Sequence, residues 1–210
     1  MRSRQGKLIA IEGIDQSGKK TQTRMLAKKV RAFGCRVSMW NFPYYGTALG
    51  HELRTYLTGR KQFDLRTIHL LYAANKWEVA SSIAREIDLG RVVIVNRYTP
   101  SNLAYGVAHG LSLGWLEPLE KELPKADLVL ILDVSPKASF ERKEQLRDVH
   151  EENLAYLGKV RRIYLRLAKK YGWKVVDGER DPRAVNLELW RHVLPLMRES
   201  DRRTISKRTV

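Results

Sequence analysis

The chain of 210 residues has a single cysteine, Cys35, so an internal disulfide is impossible and a reducing, cytoplasmic setting is expected. No apolar run reaches the roughly 20 residues that a membrane-spanning helix needs, so no membrane span is expected. The N-terminal stretch from Met1 to Lys7 has no apolar segment with a cleavage site, and no secretion signal is expected there. Internal repeats, low-complexity tracts and a clear interdomain linker are all missing. Acidic residues are also scarce, 23 against 39 Lys and Arg, which leaves a net charge of +16. Such a balance favours polyanionic partners, nucleotides and nucleic acids among them. Much of the charge lies along helical faces, where solvation accounts for it, so nucleic acid is not an expected partner.

The most informative stretch is IAIEGIDQSGKKTQ, Ile9 to Gln22. An apolar run, Leu8 to Ile11, reads as a buried parallel strand. A loop with Gly13 and Gly18 five positions apart follows, then Lys19 and a helix with Met25, Leu26, Val30 and Phe33 at helical spacing. Gly13-x-x-x-x-Gly18-Lys19 is the spacing of a phosphate-cradling loop, and a plain glycine-rich turn is the other reading. Glycines let backbone N–H groups approach phosphate oxygens, the helix N-terminus adds a positive dipole end, and Lys19 adds a mobile ammonium. The Ser or Thr that usually follows the lysine and holds Mg²⁺ is replaced by Lys20, with Thr21 one residue late.

Strand and helix patterns alternate along the chain. Strands are expected at Arg36–Trp40, Arg91–Val95, Asp127–Leu132 and Trp173–Val176. Helices are expected from about Lys20 to Phe33, Thr47 to Leu57, Asp64 to Leu89, Ser101 to Leu123 with breaks at Gly110, Gly114 and Pro118, and Asp181 to Glu199. Ser135-Pro136 opens another, and one more ends at Tyr171-Gly172. Five strands separated by helices imply an α/β fold, an open parallel sheet covered on both faces. Ligands in such sheets bind beyond the carboxyl ends of the strands. One domain over residues 1–200 is expected, with a small lid at about 141–153 and a basic, flexible tail at 201–210.

The loops after the strands carry the candidate chemistry. Asn41 to Thr47 holds Phe42, Pro43, Tyr44 and Tyr45, either packed aromatics in a turn or flat apolar surface for a ligand. Arg97, after strand three, is placed to grip a phosphate with its planar fork, the alternative being a salt bridge. Tyr72 and Lys76 are four apart on one helical face, as stacking and hydrogen-bonding groups for a base or as ordinary core and surface. Ser101, Asn102 and Tyr105 form a comparable set. The charged stretch from Arg142 to His150 is either a solvated helix or a lid whose arginines fold over transferring phosphates.

Together these residues resemble the thymidylate kinases, within the P-loop nucleoside monophosphate kinases. The markers are Glu12 to Gln22, Phe42-Pro43, Tyr72 to Glu78, Asn96-Arg97-Tyr98, Ser101-Asn102 with Tyr105, and Pro124 to Leu130. The resemblance implies transfer of the γ-phosphoryl group of ATP to dTMP in dTTP synthesis, with Mg²⁺, in a homodimer. It assigns the ATP phosphates to Gly13, Ile14, Asp15, Gln16, Ser17, Gly18, Lys19, Lys20 and Thr21. It assigns dTMP to Asp15, Phe42, Pro43, Tyr45, Tyr72, Lys76, Arg97, Ser101, Asn102 and Tyr105. Asp15 would lie near the sugar 3′-hydroxyl and the metal. Lys19, Arg97, Asp15 and the lid arginines Arg142 and Arg147, with Lys143 behind them, would carry catalysis. Gln16 stands where some relatives place a catalytic arginine, so the lid arginines are implied instead. Lys20 and Asn96, the latter in place of the usual aspartate of Asp-Arg-Tyr, make the site less anionic. A kinase for another monophosphate, a catalytically weakened nucleotide binder and a nucleic-acid binder are the alternatives.

Overall fold

The computed structural model describes residues 6–142 and 154–206, with side chains through residue 198. The strands are β1 (Lys7–Glu12), β2 (Val37–Asn41), β3 (Val92–Asn96), β4 (Leu128–Asp133) and β5 (Lys174–Asp177). They form one parallel sheet in the order β2-β3-β1-β4-β5. The helices are α1 (Lys19–Ala32), α2 (Ala48–Leu57), α3 (Leu65–Trp77), α4 (Ala80–Asp88), α5 (Thr99–Ala108), α6 (Leu113–Glu120), α7 (Pro136–Glu141), α8 (Leu154–Tyr171) and α9 (Pro182–Ser206).

Side chains alternate across the sheet, and both faces are covered. Leu8, Ala10, Val93, Val95, Val129 and Ile131 face α4, α5, α6 and α8. Ile9, Ile11, Ile94, Leu130, Leu132 and Val176 face α1 and α9. Burial on both sides explains why the central strands read as continuous apolar runs. The chain leaves β1 for β2, returns to β3, and then crosses to β4 on the other side of β1. The loops after β1 and β3 therefore meet at the carboxyl edge beside the point where the strand order switches.

Several element boundaries differ from expectation. The single helix expected over Asp64–Leu89 is two, broken at Glu78 and Val79. The reason is packing: α3 rests on α2, α5 and α6, whereas α4 rests on β3, and one straight helix cannot face both. Val79 makes the bend with its side chain buried. The segment expected over Ser101–Leu123 is α5 and α6, separated by a turn in which Gly110 has φ 93°. The α9 backbone runs to Ser206, past Glu199 and into the stretch expected as a tail. Lid residues 143–153, including Lys143 and Arg147, and tail residues 207–210 lie outside the described residues.

In α2, Gly50 is pressed against the loop that follows β2. A Cβ there would sit 2.0 Å from the Tyr44 carbonyl oxygen. Gly50→Ala gains about 1 kcal/mol of helix propensity. The forced shift of backbone against backbone costs about 1–3 kcal/mol, so we expect net destabilisation with displacement of the 42–46 loop. A denaturation midpoint at or above wild type would contradict this.

Candidate active site

The loop between β1 and α1 owes its shape to three residues with positive φ: Gly13 at 139°, Gln16 at 53° and Gly18 at 90°. At Gly13 a Cβ would lie 2.6 Å from the Leu132 carbonyl oxygen, so only glycine fits. Gly18 caps α1 without a side-chain hydrogen bond, which leaves the first N–H groups of the helix to the loop's concavity. Lys19 is buried, its Nζ donating to the carbonyls of Gly13 at 3.1 Å and Ile14 at 2.5 Å. Ile14 and Ser17 are buried, while Lys20 and Thr21 are exposed on the first turn of α1. All the residues expected around the ATP phosphates thus belong to one turn and the helix start behind it.

Parallel register brings the end of β3 against this loop, with Asn96 paired to Ile11. Arg97 follows in a left-handed conformation at φ 62°, a strain of about 1–3 kcal/mol for a residue with a side chain. Its N–H donates to the Ile11 carbonyl at 3.0 Å. The next N–H, of Tyr98, donates to Glu12 Oε1 at 2.6 Å. Glu12 Oε2 also accepts from Ser101 Oγ at 2.6 Å and from the Tyr164 hydroxyl at 3.1 Å. A buried carboxylate at the end of β1 therefore fixes the bend that aims Arg97.

The Arg97 guanidinium forms an ion pair with Asp15 and lies over the Tyr105 ring, 5.2 Å from its centroid. Tyr105 donates its hydroxyl to Asp15 Oδ2 at 2.6 Å. Burial opposes the Arg97 charge, but Asp15, Tyr105 and Tyr164 outweigh it and hold its pKa above the ordinary value. Burial pushes the Tyr105 hydroxyl up as well, so it remains a proton donor. Asn96 donates to Asn41 Oδ1 at 3.1 Å, and its own Oδ1 is buried with no partner among the described residues.

The ten residues expected around the acceptor line one open cleft of about 820 Å³, mouth included, which also takes in Leu57, Asn75, Tyr98 and His109. Asn75 clamps the 42–47 loop to α3: its side chain accepts from Tyr44 N at 2.7 Å and donates to Tyr44 O and Thr47 Oγ1, each at 3.0 Å. Lys76 is buried, donating to Glu120 Oε1 at 2.7 Å and to the Tyr72 carbonyl at 3.0 Å. Arg142, at the end of α7, donates to the Gly178 carbonyl at 3.0 Å and does not line this cleft.

Sequence reasoning assigns no role to Glu12, Asn75 or Glu120. For Glu12 a signal exists, a charged residue ending an otherwise apolar strand. Asn75 and Glu120 have partners 31 and 44 residues away, which no local pattern reveals.

A parallel sheet with a phosphate loop at its switch point, tied to the end of the neighbouring strand by the Arg97–Asp15 pair, defines a P-loop kinase acting on a small acceptor. The family model for thymidylate kinase matches residues 11–189. The thymidylate kinase of Arabidopsis thaliana is 34% identical over 194 residues, 92% of this chain and 73% of that protein. The human thymidylate kinase is 33% identical over 192 residues, 90% of each chain. The solved structure of thymidylate kinase from Candida albicans superposes with a TM-score of 0.83 at 28% identity, over 92% of this chain and 93% of that one. The chain belongs to the thymidylate kinase family.

Burial pushes the Glu12 carboxyl above the ordinary carboxylate range, against the hydrogen bond from Ser101, the charge of Arg97, the Tyr98 N–H and the charge of Lys19. A raised folded pKa means that the folded state binds more protons than the unfolded chain between the two values. This contribution to stability is complete below the ordinary carboxylate range and is lost as pH rises through the folded value. Glu12→Gln removes it. The stability of wild type relative to Glu12→Gln should therefore fall with rising pH in denaturant titrations, and a pH-independent difference would be inconsistent with the assignment.

Proposed function

We propose that the protein transfers the γ-phosphoryl group of ATP to the 5′-phosphate oxygen of dTMP, releasing ADP and dTDP. The observation that carries this is the single carboxyl edge shared by the phosphate loop and the Arg97–Asp15–Tyr105 set. The N–H groups of the loop and the α1 terminus receive the ATP phosphates. Lys19 leaves the Gly13 and Ile14 carbonyls for the outer phosphates, exchanging neutral acceptors for charged ones. Arg97 presents unused N–H groups to the acceptor phosphate. Asp15 takes the sugar 3′-hydroxyl, and Tyr105 crowds the position of a ribose 2′-hydroxyl. Tyr72 stacks on thymine in a pocket that Lys76, Asn102, Phe42, Pro43 and Tyr45 also line. Gln16 carries no charge for the transferring group, so that role falls to Arg142 or Arg147.

Mg²⁺ fits this donor set. Asp15 would supply one carboxylate, and Asn96 an oxygen that has no partner among the described residues, to an ion that would keep most of its waters and be held chiefly by nucleotide phosphates. When bound, it neutralises charge on the phosphate oxygens. Among the described residues no helix is long and apolar enough to cross a membrane. We further propose a cytoplasmic homodimer. The single cysteine supports the compartment, and the exposed Leu70 and Trp77, seven apart on α3, support contact with a second copy.

Coupled measurement of ADP release with dTMP, dUMP, dCMP, UMP and AMP, with and without Mg²⁺, tests the reaction. The highest kcat/KM is expected with dTMP and Mg²⁺; preference for another monophosphate would displace dTMP as the acceptor. The metal assignment is separable. Asn96→Asp places a carboxylate at the unpartnered oxygen, and Lys20→Ser removes a competing cation. Each should lower the Mg²⁺ concentration for half-maximal rate, Asn96→Asp by about tenfold. Unchanged metal dependence in both would refute it.

A further inference from the structure

Behind Asn102 the cleft wall continues as a line of polar side chains that the proposed reaction does not use. His69, in α3 and fully buried, has Nδ1 2.6 Å from Asn102 Oδ1. Its Nε2 lies 2.9 Å from Nδ1 of His109, the residue that caps α5. His109 Nε2 lies 2.7 Å from the hydroxyl of Tyr156, on the first turn of α8. The rings of His109 and Tyr156 stack, with centroids 5.2 Å apart and planes 19° from parallel.

Donors and acceptors follow by elimination. Asn102 Nδ2 donates to Glu120 Oε1 at 2.8 Å and to the His69 carbonyl at 3.2 Å, so its Oδ1 is the acceptor that faces His69. His69 Nδ1 therefore carries the hydrogen. In a neutral ring Nε2 then accepts, and His109 Nδ1 supplies the N–H. His109 Nε2 accepts in turn, and Tyr156 donates. The chain runs one way, from Tyr156 through His109, His69 and Asn102 to Glu120, where it meets the ammonium of Lys76.

We propose that His109 is a positioning residue for the acceptor pocket, transmitting the placement of α8 to Asn102 and, through Glu120, to Lys76. The proposal rests on reading the cleft as the dTMP site. Among the described residues Glu120 is held at one oxygen, by Asn102 and Lys76, while its other oxygen is buried with no partner. Its orientation, and that of the cation beside it, therefore depends on how firmly Asn102 is fixed. His69 Nδ1 holds Asn102 Oδ1, and His109 holds the other nitrogen of the same His69 ring, so loss of His109 loosens the donor that fixes Asn102. These links lead away from Lys19 and the phosphate loop. Loss of His109 should weaken acceptor binding and leave the ATP side unchanged. Tyr156 does not line the cleft, and Tyr156→Phe keeps its ring contacts with His109 and Tyr105 while removing the hydroxyl that donates to His109.

The test combines steady-state kinetics with calorimetric binding of dTMP for wild type, His109→Ala, His109→Gln and Tyr156→Phe. His109→Ala should raise both the KM and the Kd for dTMP about tenfold, with kcat and the KM for ATP within about twofold of wild type. Glutamine offers an N–H toward His69 and a carbonyl toward Tyr156, and should restore most of the affinity. Tyr156→Phe keeps the stacked ring and loses the donor, and should give a smaller rise in KM for dTMP. Unchanged dTMP affinity in His109→Ala, or equal losses in kcat and both KM values without rescue by glutamine, would overturn the proposal. If the alanine variant does not fold, Tyr156→Phe decides, and wild-type affinity there overturns it. A wild-type protein that binds no dTMP would overturn the reading of the cleft itself, and this proposal with it.

Discussion

The ion pair between Asp15 and Arg97 joins the two halves of the site. Asp15 belongs to the phosphate loop after β1, and Arg97 to the bend after β3. Their contact exists because Ile11 and Asn96 are paired in register at adjacent strand ends. A one-residue slip between these strands would exchange their inward and outward faces and separate the two loops. The pair is mostly shielded from water, with side-chain exposures of 17% and 15%, so both charges need partners. Tyr105 and Ser101 complete the shell around Arg97. The site therefore holds two opposite charges that satisfy one another, with three of the five guanidinium N–H groups given to Asp15, Tyr105 and Ser101.

A second buried pair, Lys76 and Glu120, plays a different part. Replacing such a pair by apolar residues is often harmless to stability, but removing one member costs about 3–5 kcal/mol because a lone buried charge remains. Its retention at the wall of a ligand cleft fits specificity better than stability. The cation there is already satisfied by Glu120 and the Tyr72 carbonyl, and its ammonium has three donors to share. Glu12 is a third buried charge. It braces the strained backbone at Arg97 rather than touching the cleft, and it does so through two strand ends, α5 and α8.

The layering was legible because period-two and period-3.6 patterns report burial directly. The phosphate loop was legible because its glycines and lysine act through local backbone geometry at fixed spacing. The break at Val79 was not, since propensity favours continuing the helix and only packing against two different partners interrupts it. The ten residues expected around the acceptor stand together because each follows a strand end or lies on α3 or α5. Of those expected to act from the lid, Arg142 rests on the loop after β5.

The sequence alone determined the α/β layering and the phosphate loop, since each depends on spacing within a few residues; the acceptor set came from the resemblance, and the structure adds that its ten members line one cleft. Only the tertiary structure decided which charges meet. Asp15 with Arg97, Glu12 with Tyr98, and Lys76 with Glu120 are pairings between segments 44 to 86 residues apart. Such contacts depend on strand register and helix docking, and neither leaves a mark in the local pattern of residues.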